Sequence, residues 1–213
     1  MLQGNRKHAQ KYHQLYEGLV SGQSPDVVVA FCSDSRLQTD IFGKTIDAVN
    51  KLFVGRDIGN TLIDNQGAID YALLHLGVPL LFILGHTACG AAKAACCDYS
   101  QEPESIKSRL AHLHVPADEI TNPQCNVDSQ VDLAVEKYQE RVKEGKLLVI
   151  GGIFDLTGAY GGLAGKIYLT NVNGLREEDP IKRKLKEAGV KKKLLEEMVK
   201  RVSSEQKENL TAQ

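Results

Sequence analysis

PDVVVAFCSDSR, residues 25–36, and PLLFILGHTACG, residues 79–90, are the two stretches on which the reading of this chain turns. Each runs from a proline through a short, almost unbroken apolar stretch and then breaks into small and polar residues. Strands that are apolar throughout, rather than alternating, are buried on both faces, as in parallel sheets covered by other elements. LFVG at 52–55, KLLVIGGIFDL at 146–156 and KIYLTNV at 166–172 supply three more strands. Helical spacing fills the gaps between them. It covers 5–20 (Tyr12, Leu15, Tyr16, Leu19), 65–76 (Ile69, Leu73, Leu76), a short piece from Ala88 to Ala95, and 127–144 (Val127, Val131, Ala134, Val135, Tyr138). The stretch from Asp98 to Asn126, with its prolines and polar residues, is read as a loop holding a short helix. The turn-rich TGAYGGLAG between the last two strands leaves no room for a crossover helix, so those strands form a hairpin. The predicted class is α/β: a mostly parallel central sheet with an antiparallel edge strand and helices on both faces.

The 213 residues suffice for one such domain. The chain divides into an N-terminal helical arm (1–22), an α/β domain (23–175) and a charged helical tail (176–213). In the tail, Leu185, Leu194, Leu195, Met198 and Val202 form an apolar stripe, and the last ten residues are expected to fray. A net charge of −1 gives no pull toward nucleic acid or anionic membrane. No apolar run approaches the ~20 residues of a membrane span. MLQGNRKHAQKYHQLYEGLV lacks the apolar core of a secretory signal, so the expected compartment is the cytoplasm. The five cysteines are an odd number with no leader, which argues for metal ligands or small buried groups over a disulfide framework.

In open parallel sheets, ligand sites form at the carboxyl ends of strands. FCSDSR and GHTACG both sit at such ends and together offer Cys32, His86 and Cys89. Two thiolates and an imidazole are good zinc ligands, and three protein ligands leave the open fourth position of a catalytic site. Cys96 and Cys97 lie about two helical turns beyond Cys89, roughly 10 Å along the axis, too far to close it. Asp34 and Arg36 follow Cys32 at alternate positions, and in an extended chain they project to the same side. Arg36 would hold Asp34 ionised through a two-pronged pair, leaving the carboxylate to accept a hydrogen bond from hydroxide at the open position.

CSDSR, then about 50 residues, then GHTACG closely resembles the β-class carbonic anhydrases. GQSPDVVVAFCSDSR, FVGRDIGN, GAIDYALLHL and GHTACGAAK all resemble segments of the plant-type branch. The resemblance implies a zinc enzyme, one Zn²⁺ per chain, that reversibly hydrates carbon dioxide to bicarbonate and a proton. It implies Cys32, His86 and Cys89 as ligands and Asp34 and Arg36 as the catalytic dyad. It further implies Phe53, Ile58 and Tyr71 as the apolar substrate pocket and Gly90 as a backbone N–H capping the site. Gln23 matches a glutamine that reaches substrate from a neighbouring subunit, so the expected partner is a second copy, in a homodimer or larger homo-oligomer. His75 matches a histidine suggested as a proton relay. With two thiolates offsetting the metal's charge, activity is expected to rise on the alkaline side of neutrality. Two departures stand out. The usual arginine–asparagine pair becomes Arg56-Asp57, an extra carboxylate expected to alter a turn or a dimer contact. Val29 stands where the bicarbonate-regulated branch has tryptophan, which argues against that anion site. Two other readings share these residues: a hydrolase of carbonyl sulfide or carbon disulfide, and a catalytically silent zinc-binding scaffold.

Overall fold

The computed structural model describes residues 1–115 and 122–202. Five strands form one sheet in the order β2-β1-β3-β4-β5. They are β1 (Val27–Cys32), β2 (Leu52–Asp57), β3 (Leu80–His86), β4 (Leu148–Asp155) and β5 (Lys166–Val172). The first four run parallel, and β5 closes an antiparallel hairpin with β4, as the short 157–165 connection requires. Val28 to Phe31 are each at most 1% exposed, so β1 is covered on both faces. Alternate residues feed two different cores, as the two-residue period of a strand dictates. Val28, Ala30, Leu81, Ile83, Val149 and Ile153 pack with Ile69, Leu73, Val127 and Val131. Val29, Phe31, Leu84 and Phe154 pack on the opposite face with Leu37, Ile41 and Phe42.

The helices in chain order are α1 (Leu2–Glu17), α2 (Gln66–Asp70), α3 (Gly90–Ala95), α4 (Glu104–Leu110), α5 (Asn122–Lys137), α6 (Gln139–Lys143), α7 (Glu178–Glu187) and α8 (Lys192–Met198). A π-helical turn, Tyr71–His75, extends α2. α2 and α5 cover the first face of the sheet. On the second, α7 and α8 lie over β4 and β5 through Ile181, Leu185, Leu195 and Val199, while 3₁₀ turns carrying Ile41 and Phe42 cover β1 and β3. No helix among the described residues is long and apolar enough to cross a membrane.

Three local readings change. α5 begins at Asn122, inside the stretch read as loop, because Pro123 falls in its first turn, where a missing N–H costs no hydrogen bond. The helix read as 127–144 breaks at Tyr138, whose hydroxyl donates to Asp70 Oδ1 at 2.8 Å. The tail is two helices rather than one: Gly189 turns the chain at φ +89°, and Leu194 leaves the apolar stripe, 45% exposed. The expected fraying of the last ten residues, and residues 116–121 of the loop reading, lie outside the described residues.

Helix α5 sits so close to the sheet that β3 must use glycine just before its histidine. A Cβ on Gly85 would lie 2.7 Å from Val127 Cγ2 and 3.1 Å from Ile153 Cδ1. Forcing a methyl into a filled core costs about 1–3 kcal/mol. Gly85→Ala should therefore lower unfolding free energy by that amount in urea titrations, with an unchanged m value.

Candidate metal centre

The chain runs from β1 out to β2 on one side and then returns to β3 on the other, so β1 and β3 flank the point where strand order reverses. That is where an open α/β sheet leaves a crevice at its carboxyl ends. Phe31 pairs with Leu84, which puts Cys32 and His86 at neighbouring strand ends. Cys89 comes back to them through a tight turn in which Ala88 adopts φ +54°. Sγ of Cys32, a ring nitrogen of His86 and Sγ of Cys89 all lie within 4.8 Å of one another, and all three residues are buried.

His86 shows what this cluster is built to hold. Its Nδ1 lies 3.0 Å from the Thr87 carbonyl oxygen. A carbonyl can only accept, so Nδ1 carries the proton and Nε2 presents its lone pair. That Nε2 is buried and has no hydrogen-bond partner. A buried lone pair aimed at two sulfurs is a poor hydrogen-bonding arrangement and a good metal-ligating one. The sulfurs are primed in the same sense. Hydrogen bonding from Cys89 draws the Cys32 thiol well below the usual thiol range, against the opposing effect of burial. The same contact, with burial, pushes Cys89 up. The Gly59 backbone N–H also donates to Cys32 Sγ at 3.4 Å. This donor set fits zinc.

Asp34 borders the cluster, its Oδ2 3.8 Å from His86 Nε2. Arg36 grips it with Nε on Oδ1 (2.9 Å) and Nη2 on Oδ2 (2.6 Å), and its backbone N–H donates to Oδ1 as well. These bonds hold the Asp34 carboxyl well below the usual carboxylate range. Nη2 of Arg36 also donates to the Ala88 carbonyl, tying the two motif loops together.

The other sequence-predicted residues separate into two groups. Ile58 precedes Gly59 and so lies beside Cys32, and Gly90 opens α3 directly after Cys89. Phe53, Tyr71 and His75 stand apart. Phe53 faces Val28, four residues and roughly 13 Å down the strand from Cys32. Its ring is 6.1 Å from that of Tyr71, which stacks on His75 at 4.8 Å. Gln23 is exposed and precedes the start of β1. Within one chain, these four do not meet the sulfurs.

Sequence reasoning missed the supports of the site. The guanidinium of Arg56 donates to the carbonyls of Cys32, Asp34 and Leu37 and lies 4.5 Å over the Phe31 ring, which fixes the CSDSR loop. Asp155, fully buried, accepts from Thr87 Oγ1 and from the backbone N–H groups of Thr157, Gly158, Ala159 and Tyr160. It thereby anchors the residue next to His86. Asp57 falls on a turn: it accepts from the Ile58 N–H at 2.7 Å and pairs with Arg109. The one available hint was that Arg56 and Asp57 are charged residues at the end of an apolar strand.

The family profile described as carbonic anhydrase matches residues 27–160, which span all three cluster residues and the Asp34–Arg36 pair. This chain belongs to the carbonic anhydrase family. It is 37% identical over 94 residues to carbonic anhydrase 2 of Mycobacterium tuberculosis, covering 43% of this chain and 44% of that protein. A carbonic anhydrase of Mycolicibacterium smegmatis is 38% identical over 103 residues, 46% and 48% of the two chains. The chain thus spans about half the length of the curated relatives it matches. Its fold is that of the β class. A structure described among two tetrameric β-carbonic anhydrases from Sordaria macrospora superposes with TM-score 0.63 at 27% identity, over 78% of this chain and 92% of that one. A Coccomyxa β-carbonic anhydrase in complex with acetazolamide gives TM-score 0.65 at 22% identity, over 85% and 89%, a likeness of fold. The cofactor that goes with this family and this donor set is zinc.

If Cys32, His86 and Cys89 hold that ion, removing one sulfur should empty the site. Cys32→Ala, purified in parallel with the unaltered protein, should carry less than a tenth of a zinc equivalent by elemental analysis, against one per chain for the parent.

Proposed function

We propose that this chain is a zinc-dependent carbonic anhydrase of the β class, plant-type branch, that interconverts carbon dioxide and bicarbonate. The observation that carries this reading is an ionised carboxylate, Asp34, held by two prongs of Arg36 at the border of a buried Cys-His-Cys donor set. A closed structural zinc site has no use for such a group. In the proposal Cys32, His86 and Cys89 hold zinc, which when bound would supply an activated water as nucleophile on the alkaline side of neutrality. Asp34 accepts a hydrogen bond from the attacking oxygen and sets its direction. Arg36 keeps Asp34 charged and, through the Ala88 carbonyl, in register with the second loop. Ile58 supplies an apolar surface for carbon dioxide, and the Gly90 N–H, at the start of α3, faces the product. The names of the relatives support the reaction, and the missing tryptophan at Val29 supports the branch.

Gln23, Phe53, Tyr71 and His75 find their use in a neighbouring copy. All four are exposed or half-buried, and Phe53, Tyr71 and His75 are gathered away from their own chain's sulfurs, as residues serving a partner's site would be. Helix α1 supports the same reading: none of its residues is buried, and Leu15 and Tyr16 are each 41% exposed. The proposed working unit is a homodimer or larger, with residues 1–22 as the embracing arm, 23–175 as the catalytic domain and 176–213 as the tail, in the cytoplasm.

Stopped-flow hydration kinetics on the zinc-loaded protein test the reaction. Asp34→Asn should keep its zinc and lose ~10²–10⁴-fold in turnover, the usual contribution of an orienting acid–base group. Unchanged kinetics in that variant would reduce the dyad to a salt bridge. Light scattering should give twice the chain mass or more, and a fully active monomer would overturn the shared-site reading.

A further inference from the structure

The residues that follow α4 pack against the small cluster that contains both cysteines. Val115 packs against Cys32, Cys89 and Ala92. Leu113, 8% exposed, is pressed onto Gly59, where a Cβ would come within 2.5 Å of Leu113 Cδ2. The segment 104–115 is therefore a strap across one side of the metal centre. Its attachment is ionic. Arg109 places Nε 3.1 Å from Asp57 Oδ2 and Nη1 2.8 Å from Asp64 Oδ1. The Asp64 side chain is only 4% exposed, and its second oxygen receives Thr61 Oγ1 at 2.5 Å and lies 3.1 Å from His112 Nδ1.

We propose that Arg109 is a positioning residue of the metal centre: by bridging Asp57 and Asp64 it seats the strap and aims the Gly59 N–H at the Cys32 sulfur. The inference rests on the zinc reading of the cluster. Every link is a single contact. Arg109 holds one oxygen of Asp57, and the other oxygen accepts the Ile58 N–H. That bond fixes the turn into Gly59, which adopts φ +76° and directs the 58–59 peptide N–H at Cys32 Sγ. From the far side, Asn126 Nδ2 donates to the Gly59 carbonyl at 2.8 Å, but this fixes the following peptide, not the one that donates to sulfur. Aiming of the N–H is thus left to Asp57, and Asp57 is held by Arg109. The extra carboxylate at position 57 and the cation at 109 form one device. Without Arg109, Asp57 and Asp64 lose the cation they share, the Asp64 side chain is left buried with no arginine or lysine partner, and such an uncompensated buried charge destabilises the structure around it.

Groups that orient metal ligands typically contribute 10- to 100-fold to metal affinity. Three proteins decide the matter: Arg109→Gln, Asp57→Asn and the double variant. Zinc transfer to a chromophoric chelator gives the release rate, and the sulfur-to-metal charge-transfer band of the cobalt(II) forms reports on the thiolate itself. Asp57→Asn keeps an oxygen for the Ile58 N–H, so it separates the ion pair from general loss of fold if Arg109→Gln is unstable. The expected result is release about 10- to 100-fold faster in Arg109→Gln, about 10-fold faster in Asp57→Asn, and a double variant no worse than Arg109→Gln, with a shifted cobalt band in all three. A parental release rate and band in folded Arg109→Gln or in Asp57→Asn would overturn the proposal, as would a double variant whose effect is the product of the singles. A parent protein that takes up no cobalt would instead overturn the metal centre, and this inference with it.

Discussion

Everything at the carboxyl end of this sheet depends on the register between β1 and β3. Phe31 opposite Leu84 brings a cysteine and a histidine to adjacent strand ends. A slip of one residue would turn Cys32 to the other face of the sheet, because side chains alternate with a period of two. The register is protected by burial: both faces of β1 and β3 are filled, so a slip would exchange two cores at once. The Cys-His-Cys cluster thus inherits its geometry from the hydrophobic patterning of two strands, and the polar residues need only refine it.

That refinement is done by buried charge. Asp155, Asp64 and Arg56 each satisfy several backbone or side-chain partners around the loops that carry the ligands. A carboxylate accepting several N–H bonds is costly to bury but costly to misplace as well, since each lost bond leaves an uncompensated group in a low-dielectric interior. Loops joined to a rigid sheet in this way approach the precision of the strands themselves. Gly59 and Ala88, both at positive φ beside the cysteines, are where the backbone is bent to make the donors converge.

The parts legible in the sequence are those with a local signature. Apolar runs gave the five strands, and the short 157–165 connection gave the antiparallel hairpin. Cys32, His86 and Cys89 were legible because thiol and imidazole at two strand ends have few uses besides metal. What escaped has no local mark. Arg109 finds Asp57 and Asp64 only after α4 folds back over the sheet, and nothing in ESIKSRL distinguishes Arg109 from a solvated helix cation. Asp155 sits in a stretch that reads simply as the end of a strand, and its ring of donors is created by the turn that follows. The early start of α5 was hidden by Pro123, which punctuates a chain as readily at the beginning of a helix as in a loop.

The segment just after α8 bears on how copies can meet. Just after α8, Val199 bridges Leu169 in parallel, and the Lys200 N–H donates to the Leu169 carbonyl. Across its middle, the outer edge of β5 is already occupied by the chain's own backbone. Among the described residues no strand pairs with the outer edge of β2, at the opposite margin, and Val54 there is 37% exposed. With the middle of β5 covered, β2 offers the longer unbroken row of peptide groups to an added strand. The residues just after α8 stand where an added strand would otherwise pair with the middle of β5, a guard against edge-to-edge association.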